Sequence, residues 1–247
     1  MARDVDAGRR GRRSRGMVRL ASAVDEGLLE EQSGSMLTEE TLAEFDPDRQ
    51  AVVGKRRLVY RDLVIGEQLG VPSDPAATAD ILVVAAKRDF ASVFRPDRFA
   101  CTLRDRILFA ARHMPEISWP DLSEDGLRAW LPDLCVGKTS FDELRRTDWV
   151  SEIRRRLGRL GGLLDEQVPE RIVLPRGHRA RIDYAAAFGP QGAPVLAVRI
   201  QQAFGLRQTP RVARGRVPLL VQLLAPNGRP AQVTADLESF WRDTYPQ

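Results

Sequence analysis

Arginine is the residue type through which this chain could do chemistry. Between residues 171 and 234 ten arginines face a single acid, Asp183. A guanidinium keeps its charge and forks onto two phosphate oxygens at once, so arginines gathered away from acids suit a phosphate-bearing partner. Arg207, Arg211, Arg214 and Arg216 fall within ten residues with no acid between them. Arg176, Arg179, Arg181 and Arg229 flank that cluster. Tyr184 and Trp241 each carry a flat ring with a polar handle beside charge, which a stacked nucleobase requires. Phe204 and Phe240 sit in apolar patterns and read as core. The chemistry these residues could perform together is contact with the backbone and bases of a single strand of RNA or DNA. Arg179 and Arg181 are two apart and share one face of a strand. A solvated outer sheet face is the competing reading of that pair.

Catalytic patterns are missing. Gly137-Lys138-Thr139 ends as a phosphate-binding loop does, but such a loop needs an earlier glycine after a strand, and Pro132 stands there. No Asp-Glu-x-His or Asp-Glu-x-Asp box is present to hold magnesium and orient a water. His178 falls in a turn beside arginines and has no nucleophile pattern near it. Cys101, His113, Cys135 and His178 lack the short-spaced pairs that hold zinc, so both thiols read as free in a reducing compartment. No catalytic residue, metal site or cofactor site is expected, and no catalysis by the chain alone.

These side chains must be positioned by a mixed architecture. Met17–Val24 and Leu58–Ile65 read as strands, Asp25–Glu31 as a short helix or turn, and Asp46-Pro47-Asp48 as a turn. Ser73 or Asp74 can cap a helix from Ala76 to Arg88. Further helices are predicted at Arg98–His113, Ser123–Leu131 and Trp149–Leu160, with starts at Asp121-Leu-Ser-Glu124 and at Ser140-Phe-Asp-Glu143. From Arg171 the period becomes two. Arg171–Pro175 and His178–Tyr184 form one hairpin across Arg176-Gly177, and Val217–Leu224 with Ala231–Thr234 forms another across Asn227-Gly228, both positions of which can take positive φ. Val195–Val198 reads as a strand, Arg199–Phe204 as a short helix ended by Gly205, and Asp236 as the cap of a last helix. Gln201, Gln202, Gln232 and Thr234 are polar groups inside apolar elements. The fold class is therefore α+β, with a partial OB-like β unit, a helical middle section and a C-terminal antiparallel sheet with short helices. The expected division is 1–68, 69–170 and 171–247.

Charge separates these regions. The net value is +4 over 247 residues. It conceals six arginines in residues 1–16, an acidic excess through 17–144 and a basic excess in 145–247. Arginine outnumbers lysine 35 to 3 along the whole chain, as biased codon usage would give. The clustering, and not the ratio, points to an anionic partner. No apolar run approaches the roughly 18 residues of a membrane span, and no secretory signal opens the chain. A cytoplasmic location without membrane contact is expected.

Several segments in order carry a resemblance: Val5-Asp6 through Gly16–Ala21, Asp46–Glu67, Trp119-Pro-Asp-Leu-Ser123, Gln201-x-x-Phe204-Gly205, and Gly228-Arg-Pro-x-Gln-Val-Thr-x-Asp-Leu237. Together they resemble the C-terminal region of the HrpB-type ATP-dependent helicases of the DExH class. The resemblance implies the OB-like unit and a C-terminal domain that binds RNA. It also implies that ATP and magnesium belong to a helicase core whose motifs this chain lacks. A separately encoded core is the partner it implies, if the chain is a docking module or the remnant of a helicase gene. Gln202 stands where the family pattern has an acid, and the chain stops at Pro246-Gln247, short of the family's usual end.

Overall fold

The computed structural model describes residues 2–6, 17–21 and 37–244. They fall into two units, 1–85 with 135–140, and 86–134 with 141–247. The readings at Asp25–Glu31 and along the arginine-rich residues 7–16 lie outside the described residues.

The first unit is built of strands. β1 (Ala2–Asp6) and β2 (Met17–Ala21) pair antiparallel. β3 (Leu37–Asp46), β4 (Ala51–Tyr60) and β5 (Leu63–Gly70) form an antiparallel meander with β4 in the centre. Asp46 makes the first turn, its Oδ1 accepting from the N–H groups of Asp48 (2.9 Å) and Arg49 (3.1 Å). The strand expected over Leu58–Ile65 is two strands. Tyr60 pairs with Leu63, and the chain reverses through Arg61, at φ 54°. Strand propensity marks which residues suit a pleated surface but not where the ribbon turns back. Val52, Val53 and Val59 are buried, while Lys55 pairs with Glu44 and Glu67, and Arg57 with Glu67 at 2.7 Å. Gly54 faces Gly70 across the ladder, and a Cβ at position 54 would stand 2.6 Å from the Val71 carbonyl oxygen. Only glycine admits that close pass.

Gly137-Lys138-Thr139 is a loop, as read, and it has a structural task. The Thr139 carbonyl accepts from the Val52 N–H at 2.7 Å, and Ser140 bridges Ala51. The segment pairs with the start of β4, beyond the end of β5.

Helices follow, the first of them lying in the first unit as far as Ala85. Asp74 caps the helix Pro75–Arg88, which runs across the boundary of the units. In the helix Arg98–His113, capped by Asp97, the buried side chains Ala100, Leu103, Arg106, Ile107, Phe109 and Ala110 recur at helical spacing. Ser123 caps a helix that spans only Glu124–Ala129, and a second short helix follows at Leu131–Cys135. The helix from Trp149 stops at Leu157, because Gly158 takes φ 52°, and Leu160–Gln167 continues as a separate helix. Buried Arg106 ties that helix down, donating to the carbonyls of Val168 (2.8 Å) and Leu164 (3.5 Å) and to Asp165 (2.7 Å). A cation at a helix C-terminus satisfies the carbonyls the helix leaves open.

The C-terminal sheet has five strands in the order β12-β11-β8-β7-β6. These are β6 (Arg171–Val173), β7 (Arg179–Asp183), β8 (Val195–Arg199), β11 (Leu220–Leu224) and β12 (Pro230–Thr234). β8 and β11 run parallel, where an all-antiparallel sheet was expected. The crossover between them holds the helix Ile200–Ala203 and a small hairpin of β9 (Arg211–Val212) and β10 (Val217–Pro218). Alternation along each strand was legible, but it carries no strand direction. Leu196 and Val198 of β8 are buried beside Val221 and Leu223 of β11. The two large hairpins share one turn. In Leu174-Pro-Arg-Gly-His178 and Ala225-Pro-Asn-Gly-Arg229 the glycine N–H donates to the first carbonyl and the glycine takes positive φ (82° and 79°). Proline presets the turn and glycine takes its left-handed position. Asn227 does not take the positive φ expected of it.

Candidate nucleic-acid interface

The arginines named from sequence fall into two physical groups. Arg211, Arg214 and Arg216 ride the hairpin between β9 and β10 and are held within the molecule. Ala213, Arg214 and Gly215 all have positive φ (54°, 59° and 74°), a strained run for two residues that carry Cβ atoms. Arg211 bridges the turn, donating from Nε to the Gly215 carbonyl (2.6 Å) and from Nη2 to the Arg216 carbonyl (3.2 Å). The Ala213 N–H donates to the Gln167 carbonyl at 2.7 Å and the Arg214 N–H to Gln167 Oε1 at 3.0 Å. Glu116 accepts from Arg214 (3.0 Å) and from both Nη atoms of Arg216 (2.9 and 2.8 Å), and Arg216 also reaches the His113 carbonyl at 2.7 Å. Arg216 holds the Glu116 carboxyl below the usual carboxylate range, helped by a backbone N–H. The run without a neighbouring acid in sequence has its acid in space.

Arg181 is also engaged. It donates to Thr102 Oγ1 and lies 3.7 Å from Glu170. Tyr184 corrects its reading as a stacking residue. It is 2% exposed, packs on Phe109 with ring centroids 5.1 Å apart, and donates its hydroxyl to the Pro169 carbonyl at 2.9 Å. Burial pushes its hydroxyl pKa up. The polar handle that suggested a base platform is the group that lets a tyrosine sit in a core.

The other group is presented outward. Arg176 and Arg229 occupy the glycine turns of the two large hairpins, Arg179 stands at the start of β7 and Arg207 follows the helix Ile200–Ala203; all four are exposed. The Arg176 guanidinium lies 5.4 Å from the Phe204 ring centroid. Phe204, Arg207, Glu238, Trp241 and Arg242 line one open cleft of about 650 Å³. Phe204 and Trp241 are 5.9 Å apart by centroid, and both are partly exposed. The Trp241 Nε1–H donates to the Leu206 carbonyl at 2.8 Å, which fixes the indole. Gly205 shapes the floor at φ 88°, where a Cβ would meet the Pro175 Cβ at 3.1 Å. The sequence offers Trp241 as a candidate for stacking. Sequence reasoning missed that Phe204 leaves part of its ring in the same cleft, and it did not see Glu238 there.

Among the described residues no cluster of three or more His, Cys, Asp or Glu could hold a metal, and both cysteines are unpaired. No helix among the described residues is long and apolar enough to cross a membrane.

Residues 130–247 match the family described as ATP-dependent helicase C-terminal. The chain is 32% identical over 232 residues to the ATP-dependent RNA helicase HrpB of Escherichia coli strain K12, covering 92% of this chain and 28% of that protein. Its fold matches the crystal structure of the E. coli DExH-box NTPase HrpB with a TM-score of 0.66 at 30% identity, over 94% of this chain and 29% of that one. The crystal structure of the E. coli DEAH/RHA helicase HrpB matches with a TM-score of 0.62 at 27% identity, over 94% and 28% of the two chains. The chain thus spans under a third of the length of these relatives. In sequence and in fold it is similar to the C-terminal region of the HrpB-type ATP-dependent helicases.

Proposed function

We propose that the chain is a non-catalytic accessory region of an HrpB-type helicase that binds single-stranded nucleic acid, RNA in the first instance. The observation that carries this is the placement of Arg176 and Arg207 around the aromatic cleft of Phe204 and Trp241. Exposed guanidinium groups supply phosphate contacts, and partly exposed rings supply faces on which unstacked bases rest. Arg179 and Arg229 extend the positive surface along β7 and the second hairpin. Arg211, Arg214 and Arg216 have the smaller share, since their hydrogen-bonding edges are spent on Glu116 and on backbone carbonyls. Any hydrolysis of ATP is left to a helicase core with its own nucleotide and magnesium.

Anisotropy of a labelled single-stranded RNA, titrated with the protein at two salt concentrations, tests the reading. Each phosphate contact should add about 0.7 to the slope of log affinity against log salt. Arg176→Ala with Arg207→Ala should flatten that slope. Folded protein that binds no RNA at low salt would overturn the proposal.

A second reading, docking onto a separate helicase core, draws on the first unit. Leu42 and Leu69 are 43% and 51% exposed and flank Lys55 across the meander. Co-purification with such a core, by a protein without RNA affinity, would favour that reading.

A further inference from the structure

We infer that the Phe204–Trp241 cleft selects guanine, through Glu238. This rests on the single-strand reading above and adds to it the identity of the base.

Most surfaces that bind single strands without preference pair cations with aromatic rings and exclude acids, because a carboxylate repels phosphate. This cleft holds an acid. Glu238 lines it beside Arg207, Arg242, Phe204 and Trp241, in the turn that follows the Asp236 cap. Its place there is not explained by capping, since Asp236 accepts from the Ser239 N–H (3.1 Å) and hydroxyl (2.7 Å). Its carboxylate acts on Arg242 only through space, whereas Arg242 is paired with Asp243 at 2.9 Å. Glu238 is therefore an exposed acceptor in the lining of the cleft that holds both rings, with Arg207 as the cation left to meet a phosphate.

An ionised carboxylate offers only acceptors, on two parallel oxygens. It is matched by an edge with two adjacent N–H donors. Among the four RNA bases only guanine has this on its Watson–Crick edge, at N1–H and the 2-amino group. Uracil presents carbonyls on both sides of its N–H, adenine and cytosine each place a ring acceptor next to the amino group, and an acceptor facing a carboxylate repels it. The aromatic floor is indifferent to base identity because every base has a π-face. Discrimination therefore falls to Glu238, and affinity to the rings and Arg207.

The test uses the full chain and three labelled RNA heptamers: all uridine, one with a central guanosine, and one with inosine in that place, which lacks the 2-amino group. The guanosine heptamer should bind on the order of tenfold tighter than all uridine, as a matched bidentate pair gives. Inosine should lose most of that gain. Glu238→Gln should abolish the preference and leave binding of the uridine heptamer at or above its original strength. Free GMP should compete weakly, since it lacks the neighbouring phosphates, and GMP binding as tight as the guanosine heptamer would overturn a strand-borne guanine in favour of a free nucleotide. Equal affinity for all three heptamers would overturn the guanine assignment while leaving the single-strand reading intact. Failure of every heptamer to bind would remove both.

Discussion

Glu116 and Arg216 stand a hundred positions apart in sequence and meet as a bidentate pair, Nη1 to Oε2 at 2.9 Å and Nη2 to Oε1 at 2.8 Å. Arg214 shares the same carboxylate. One acid from the loop after the Arg98–His113 helix thus occupies two of the arginines that sequence alone offers to phosphate.

Releasing them should be visible in RNA binding. Glu116→Ala frees the forks of Arg214 and Arg216, so affinity at low salt should rise and the salt slope should steepen by up to about 1.4, for two added contacts on a single strand. Anisotropy at several salt concentrations measures this. An unchanged slope would show that the β9–β10 hairpin does not reach the strand.

The pair also predicts a pH dependence. Arg216 holds the Glu116 carboxyl below its usual range in the folded chain. A depressed carboxylate contributes stability that is complete above its unfolded pKa and is lost as pH falls through the folded one. In an NMR titration the Glu116 carboxyl carbon should therefore titrate below the ordinary glutamate range, and in Arg216→Ala its midpoint should rise toward that range.

Tyr184 should matter to stability and not to binding. Tyr184→Phe strands the Pro169 carbonyl without its donor and should cost about 1–2 kcal/mol in chemical denaturation. Tyr184→Ala should cost about 3–5 kcal/mol, the range for emptying a large aromatic site. Affinity for RNA under native conditions should stay as it was in the Phe variant.

The two thiols should differ in reactivity. Burial pushes the Cys135 thiol up to about 11, whereas Cys101 is partly exposed. At pH 8 a thiol reagent should label one cysteine quickly and the other only in denaturant. Cys101→Ser should remove the fast phase.

Gly205→Ala should disturb the cleft floor. At φ 88° an L side chain is strained by about 1–2 kcal/mol, and its Cβ would press on Pro175. Both a lower melting temperature and weaker RNA binding are expected, whereas Gly192→Ala, also at positive φ but with open space around its Cβ, should lower only the melting temperature.

Much of this was legible in the chain. The Arg98–His113 helix appears at the bounds its pattern gives, and the two large hairpins turn at the glycines that mark them. Local chemistry decides such features. Strand direction in the C-terminal sheet and the break at Arg61 were not legible, since neither changes the alternation of side chains. The site shows the same division. Exposure of Arg176 and Arg229 follows from their turns, but the engagement of Arg214 and Arg216 depends on Glu116, which no window of neighbouring residues contains. Tyr184 was misread because a hydroxyl looks the same in sequence whether it faces water or a buried carbonyl.

The pairing of Thr139 with Val52 has a further consequence. The peptide path enters the first unit, leaves it at residue 85, returns for six residues and leaves again at 140. Neither body can be cut out as one uninterrupted stretch. A fragment ending at residue 85 would expose the Val52 amide, and one beginning at 86 would carry an orphaned insert between two helices. Ribosomal synthesis imposes the same order: the start of β4 waits for its last neighbour until nearly ninety residues after it has been made.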